Sequence, residues 1–334
     1  MNHSSTPLLL NILAANEAAL IVGPTGSGKT YAIPEIARSL NLTPDDVALV
    51  QVSAETTRYD LVGYKSSTGI SIPGLLSPIL KRGFGLIVLD ELDKGSPNTL
   101  LVLKGIFAGR IATSEGYFDI DRSKLRLVAT ANTTGSGATL DYNAAVKQDA
   151  ALLNEFITVR WDYDTKLEAQ LVMELYKSLW PNAAHTIYRL DAEWVENEFD
   201  MFSARFNEAI ASLRKTALDI GDSSIFATRQ IRQCMNLMFK QNLMFSQVIL
   251  ATSLRDVDNT SMQTYQPLLD KADARLLKVD IKEEQRRKEA EEREHAEAAK
   301  SPKKQSNIVD HKHNPQSSAP KSGPSSHEGL SEIF

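Results

Sequence analysis

Gly23-Pro-Thr-Gly-Ser-Gly-Lys29-Thr30 decides how this chain is read. The spacing is G-x-x-x-x-G-K-[ST], the loop that wraps a phosphate chain. It follows the apolar run Ala18–Val22 and precedes a helix-like stretch, Tyr31–Leu40. That order has a physical reason. Glycines let the backbone approach phosphate closely, and the unpaired N–H groups at a helix start bind anions. The predicted nucleotide-binding stretch is therefore Gly23, Pro24, Thr25, Gly26, Ser27, Gly28, Lys29, Thr30 and Tyr31. Lys29 is expected to bring a positive charge to the β- and γ-phosphates, and Thr30 to place its hydroxyl on Mg²⁺. Pro34 lacks an amide donor, which predicts a kink early in the following helix.

Two further apolar runs end in polar residues. Leu86-Ile-Val-Leu-Asp90-Glu91 comes 60 residues after Thr30 and has the Walker B form. Asp90 is the expected Mg²⁺ partner. Glu91 is the expected general base toward an attacking water, a task that needs a carboxylate within hydrogen-bond reach. Asp93 reads equally well as a supporting carboxylate or as a helix cap. Leu127-Val-Ala-Thr-Ala-Asn132-Thr133 places an amide between these two motifs, where Asn132 would orient the water.

The rest of the chain falls into three parts. Over residues 1–164, the runs Ala18–Val22, Val47–Ser53, Gly85–Leu89, Leu125–Ala131 and Phe156–Trp161 alternate with helix-like stretches. The runs are continuously apolar, as strands covered on both faces are, and the alternation predicts an α/β fold with a parallel sheet. Over 165–280 the spacing turns helical, as in Leu167, Leu171 and Leu175 and in Ile231, Met235 and Met238, predicting a small all-α domain. Residues 281–334 form a charged segment and a Ser- and Pro-rich tail. Lys282–Lys300 pairs Glu283 with Arg287 and Glu284 with Lys288 at favourable spacing, and the remainder has the composition of a disordered segment.

Lys+Arg is 37 against Asp+Glu at 42, a net charge of −5, which disfavours wholesale electrostatic binding of nucleic acid. The single cysteine, Cys234, excludes an internal disulfide and a Cys-rich zinc site. Neither a secretory leader nor a spanning run is read, so the expected location is the cytoplasm, of a host cell if the chain is phage-encoded.

The three motifs in this order resemble the AAA+ ATPases. Among these the chain is most similar to the MoxR-type branch, and within that to cobaltochelatase small subunit-like ATPases of bacteria and phages. Besides Gly23–Thr30, Leu86–Asp93 and Val128–Thr133, the resemblance rests on Arg58-Tyr-Asp-Leu-Val-Gly63, Gly109-Arg-Ile111 and Trp161-Asp-Tyr-Asp164, within residues 15 to 240. It implies a P-loop AAA+ core with a five-stranded parallel sheet in the order 5-1-4-3-2, followed by a helical lid. It further implies ATP and Mg²⁺ as cofactors and a hexameric ring that remodels a protein partner, often beside a von Willebrand factor A domain protein. Ala227-Thr-Arg229-Gln-Ile resembles the sensor 2 segment, so Arg229 would reach the γ-phosphate.

One position departs from that pattern. Where the branch carries the arginine finger, this chain has Glu155, and an acid repels a γ-phosphate. Arg160, Arg126, Arg110 and Lys147 are the nearby alternatives. Two function classes therefore stand beside the remodelling ATPase: a nucleotide-dependent scaffold with little hydrolysis, and a DNA-processing motor or loader. Two hairpins are also read. One has a four-residue loop, Ser114-Glu-Gly-Tyr117; the other is an exposed loop or hairpin over Tyr64–Ile72.

Overall fold

Five of the apolar runs pair into one parallel sheet. The computed structural model describes residues 3–139, 142–179 and 195–277. In chain order the strands are β1 (Ala18–Val22), β2 (Val47–Gln51), β3 (Tyr64–Lys65), β4 (Ser71–Ile72), β5 (Gly85–Asp90), β6 (Arg110–Thr113), β7 (Gly116–Asp119), β8 (Leu125–Ala131) and β9 (Phe156–Arg160). The main sheet runs β2-β5-β8-β1-β9, which is the 5-1-4-3-2 order read from the other edge. Every neighbouring pair in it is parallel. The loop Gly23–Thr30 directly follows β1, so this is the P-loop α/β architecture expected.

The inner strands β1, β5 and β8 are buried nearly throughout because both faces are covered, while the edge strands β2 and β9 leave Leu49 and Ile157 exposed. Along β1, Ala19 and Ile21 pack with Leu9, Ile12 and Leu13 of the helix Thr6–Ala14 and with Ile33 and Ile36 of the helix Ile33–Ser39. Ala18, Leu20 and Val22 point the other way, into a cluster with Ile79, Leu103 and Leu152. The N-terminal segment is thus the first covering helix, opened by Pro7 in its first turn, where a missing donor costs nothing.

Two expectations are corrected. The stretch after the loop holds no kinked α-helix: Thr30–Ala32 is a 3₁₀ turn, the α-helix spans Ile33–Ser39, and Pro34 lies in its first turn. The hairpin of β6 and β7 pairs Thr113 with Gly116, so its loop is two residues, Ser114 and Glu115, and not four. A positive φ of 122° at Gly116 permits the tighter turn. The segment Tyr64–Ile72 does form a hairpin, with Tyr64 paired to Ile72.

Beyond β9 the described chain is helical: Thr165–Leu179, Val195–Ile220, Thr228–Gln241, Phe245–Thr252 and Asn259–Leu276. These helices bury a core of their own. In it Tyr176 stacks on Phe202 with ring centroids 4.5 Å apart, and Phe206 meets Phe245 edge-on. In the first helix the buried residues are Glu168, Val172, Tyr176 and Leu179, while Leu171 and Leu175 pack only partly against this core. The expected Leu167, Leu171, Leu175 stripe is therefore one position off the buried face. Ile231, Met235 and Met238 are buried as expected. By contacts the chain divides into two units, 1–280 and 281–334. The second, with the charged segment and the tail, lies outside the described residues. No helix among the described residues is long and apolar enough to cross a membrane.

The sheet's central strands dominate its stability. Ile87 on β5 is fully buried between two neighbouring strands. Ile87→Ala is expected to lower the unfolding free energy by about 2–5 kcal/mol and Ile87→Val by about 0.5–1.5 kcal/mol. Urea denaturation reads both; an alanine variant with the native midpoint would contradict the packing described.

Candidate nucleotide site

The polar residues that end the apolar runs meet at one edge of the sheet, because β8 lies between β1 and β5. In open parallel sheets, ligands bind beyond the carboxyl ends of strands where the chain reverses its direction of travel across the sheet. Here that place carries the Gly23–Thr30 loop after β1, Asp90 and Glu91 at the end of β5, and Asn132 after β8.

The loop is shaped by its neighbours. A Cβ on Gly23 would lie 2.0 Å from the Trp161 carbonyl oxygen, so no larger residue fits there. Gly26 has φ of +70°, and a Cβ on it would lie 2.5 Å from that of Ala227. Glycine at these two positions lets the loop pass between β9 and the helical region.

Lys29 lies beneath the loop. Its Nζ donates to the carbonyls of Gly23 at 2.8 Å and Pro24 at 2.9 Å, and to Asn132 Oδ1 at 2.9 Å. Burial pushes the ammonium down to about 8, against the pull of the Asp93, Asp90 and Glu91 carboxylates; the Arg229 cation lowers it further. Lys29 therefore feels charge from β5, from the turn after β5 and from the helical region together.

Thr30 Oγ1 donates to both oxygens of Asp90, at 2.9 and 3.0 Å. The Thr130 hydroxyl donates to the same carboxylate and accepts from the Glu91 amide at 3.1 Å. A hydroxyl facing a carboxylate is an all-oxygen donor set of the kind a hard cation such as Mg²⁺ takes. Glu91 is left-handed, with φ of 59°, uncommon for a non-glycine residue. Its carboxylate takes Lys94 Nζ at 2.7 Å and Gln51 Nε2 at 3.2 Å. Burial raises the pKa of Glu91, but the bonds from Lys94 and Gln51 and the charges of Lys94 and Lys29 outweigh it, leaving it below the usual value. Glu91 is thus an ionised carboxylate held by two side chains.

Asp93 proves to be a clamp for the next strand's loop. It is 1% exposed, and its Oδ2 accepts from the amides of Asn132 at 3.0 Å and Thr133 at 2.9 Å and from the Thr133 hydroxyl at 3.1 Å. Its own carbonyl accepts from the Val146 amide at 2.7 Å. Asp93 thereby sets the position of Asn132, whose side chain meets Lys29.

Arg229 stands in the first turn of the helix Thr228–Gln241, and its amide donates to the Gly26 carbonyl at 3.2 Å. A cleft of about 440 Å³ opens beside Arg229 and Gly26, lined also by Thr25, Ala227, Gln230 and Gln233. Tyr31 is 85% exposed directly after Thr30. The basic alternatives for the finger are scattered. Arg126 is tied to the Leu13 carbonyl, and Arg110 to Asp119 and the Tyr117 ring. Arg160, Lys147 and Glu155 are exposed.

The sequence motifs give no role to Thr130 or Tyr163, which lie within them, and do not include Gln51, Lys94 or Tyr142 among the site residues. Tyr142 Oη accepts from the Thr25 amide at 3.1 Å, and Tyr163 Oη donates to the Thr25 carbonyl at 3.0 Å. Burial pushes the Tyr163 phenol up to about 12, with the Arg214 cation opposing, so it stays a donor. Thr130 had one local signal: a hydroxyl two residues before Asn132 in the otherwise apolar stretch Leu127–Ala131.

Residues 18–148 match the family model described as AAA domain (dynein-related subfamily). The match takes in the loop, Asp90, Glu91 and Asn132, and ends before Arg229. No curated protein matches the chain. Among solved structures, the closed-state cryo-EM reconstruction of Hsp104 with ATPγS and FITC casein is similar over 67% of this chain and 45% of that one, at 18% identity and a TM-score of 0.40. The chain spans less than half the length of that protein.

Removing the Asp93 clamp should loosen the loop after β8. Asp93→Ala strips the partner from three donors and is expected to lower stability by at least about 2 kcal/mol. Urea unfolding measures this, and a variant as stable as the native chain would contradict the clamp.

Proposed function

We propose that the chain binds MgATP at this site and hydrolyses it to drive the remodelling of a protein partner. The observation that carries the reading is the convergence on one sheet edge of the Lys29 ammonium, the Thr30–Asp90 pair, the Glu91 carboxylate and the Asn132 amide. The match of residues 18–148 to an AAA domain supports it.

In this reading the loop amides and Lys29 hold the β- and γ-phosphates. Thr30 and Asp90 would hold Mg²⁺, which when bound neutralises charge building on the phosphate oxygens. Glu91 takes a proton from water as the water oxygen bonds to the γ-phosphorus. The bond from that phosphorus to the bridging β–γ oxygen breaks, leaving ADP and phosphate. Asn132 orients the water, and Arg229 meets the γ-phosphate from the helical region. Tyr31, exposed beside Thr30, adds a contact beyond the phosphates.

We place the chain in the MoxR-type branch, near cobaltochelatase small subunit-like ATPases, on the strength of the Arg58–Gly63 and Gly109–Ile111 segments. We read residues 1–164 as the nucleotide-binding core, 165–280 as a lid and 281–334 as an appended tail. That placement brings with it a hexameric ring, a von Willebrand factor A domain partner and action in the cytoplasm. Mass in solution, with and without a slowly hydrolysed ATP analogue, tests the ring.

A second reading rests on two observations. Glu155 occupies the finger position, and Glu91 is engaged by Lys94 and Gln51. Both favour a nucleotide-dependent scaffold that turns over slowly until a partner frees Glu91. Multiple-turnover phosphate release by the purified assembled protein would exclude it.

Lys29→Ala is expected to abolish nucleotide binding. Glu91→Gln should keep ATP bound and slow turnover at least about 100-fold. Nucleotide binding and phosphate release measure the pair, and native-like binding by the lysine variant would end the assignment. The pH dependence has a definite sign. Lys29 sits at about 8 in the free protein, and a bound polyanion raises it. Affinity is thus at its fullest below pH 8 and declines as the pH climbs from there to the bound value. Binding at pH 8 therefore takes up protons, visible by calorimetry in buffers of different ionisation enthalpy.

A further inference from the structure

The P-loop and the helix carrying Arg229 are joined by more than the Arg229 amide. A buried polar cluster lies beneath that junction. Glu168 of the helix Thr165–Leu179 is 1% exposed and takes both Nη atoms of Arg214 at 2.7 Å. The other edge of the same guanidinium donates to the Phe226 carbonyl, from Nε at 2.8 Å and Nη2 at 2.6 Å. Its face lies on the Tyr163 ring, with Cζ 3.9 Å from the centroid. The Thr228 hydroxyl donates to Glu168 as well. One planar cation thus fixes both sides of Ala227, which packs on Gly26, and orients Tyr163, which holds the Thr25 carbonyl. Arginine suits this role because its rigid fork and flat face can be used at once.

The geometry has a consequence for phosphate binding. A trans peptide is planar, so its carbonyl and N–H point in opposite directions. Fixing the Thr25 carbonyl aims the Gly26 N–H, while fixing the Gly26 carbonyl sets the Ser27 N–H, which donates to the Pro24 carbonyl at 3.4 Å. Tyr163 does the first and the Arg229 amide does the second. Both attachments lead back to Arg214 through the segment Phe226–Arg229 and the Tyr163 ring.

We propose that Tyr163 and Arg214 are positioning residues that aim a phosphate-binding amide of the P-loop, that of Gly26, and link its orientation to the first turn of the helix carrying Arg229. This rests on the nucleotide reading of the site. The link is reciprocal, so a nucleotide that stabilises the aimed amide also stabilises the Phe226–Arg229 segment by the same factor. Arg229 is then placed by the state of the loop and not by contact with phosphate alone.

The test uses the full chain and MgADP as probe, with hydrogen exchange read by mass spectrometry. In the native chain, MgADP should slow exchange in the loop and over residues 226–233. Tyr163→Phe removes one hydroxyl and leaves the ring under Arg214. It should weaken MgADP about three- to tenfold, the effect of one hydrogen bond, and cut the nucleotide-dependent protection of residues 226–233 by a similar factor. Arg214→Lys keeps the charge without the fork and should not restore the coupling. A purely structural role would lower thermal stability in both variants but leave the MgADP-dependent protection of residues 226–233 intact, which would overturn the proposal. Since Arg214→Lys can fail by misfolding, Tyr163→Phe is the deciding variant. A native chain that binds no MgADP overturns the nucleotide reading and this proposal together. Native binding with unchanged coupling in Tyr163→Phe overturns this proposal alone.

Discussion

The structure depends on one cation. Lys29 carries its charge under a glycine loop, bonded to the carbonyls of Gly23 and Pro24 and to the Asn132 amide oxygen. An ammonium in such a place is costly unless partners surround it. The carboxylates of Asp93, Asp90 and Glu91 meet part of that cost, yet burial still prevails and the pKa settles near 8. The site is thus a cation whose full charge would be restored by one more group of negative charge. The parallel sheet exists in this form to bring those groups together: β8 must lie between β1 and β5 for Asn132 to reach Lys29 while Asp90 reaches Thr30.

The supporting residues show how the first contacts are held. Thr130 binds the Asp90 carboxylate and the Glu91 amide, and Asp93 binds the amides of Asn132 and Thr133. The ends of β5 and β8 are stitched to each other by side chains, not only by the sheet's ladder. Glu91 is handled differently. It sits in a left-handed turn and is restrained by Lys94 and Gln51. A carboxylate held in that way is released by anything that moves β2 or the turn after β5.

Much of this was legible in the sequence because the local signals were strong. The three inner strands, buried on two faces, and the two edge strands all read as largely apolar runs, and all five were found with ends shifted by at most two residues. The residues at their ends, Lys29, Thr30, Asp90, Glu91 and Asn132, announced themselves by type and order. What stayed hidden involved long separations. Nothing near Tyr163 in sequence says that it holds a carbonyl 138 residues away, nor does Arg214 announce a partner 46 residues back. The first long helix misled for another reason. Leu171, Val172, Leu175 and Tyr176 are all apolar, so two registers fit the pattern, and packing against Phe199 and Phe202 chose the one with Tyr176 inside. At Ser114 the hairpin was read too long because Gly116 could join the ladder with a positive φ.

If the grip on phosphate is what the loop is for, binding energy must reside in the β-phosphate and not in the base. Titrating the native chain with AMP, ADP and ATP in the presence of Mg²⁺ tests this most directly. The account predicts one ADP or ATP bound per chain, with AMP at least about 100-fold weaker, since it lacks the group that Lys29 and the loop amides hold. Equal affinity for AMP and ATP, or no binding of either, would contradict it.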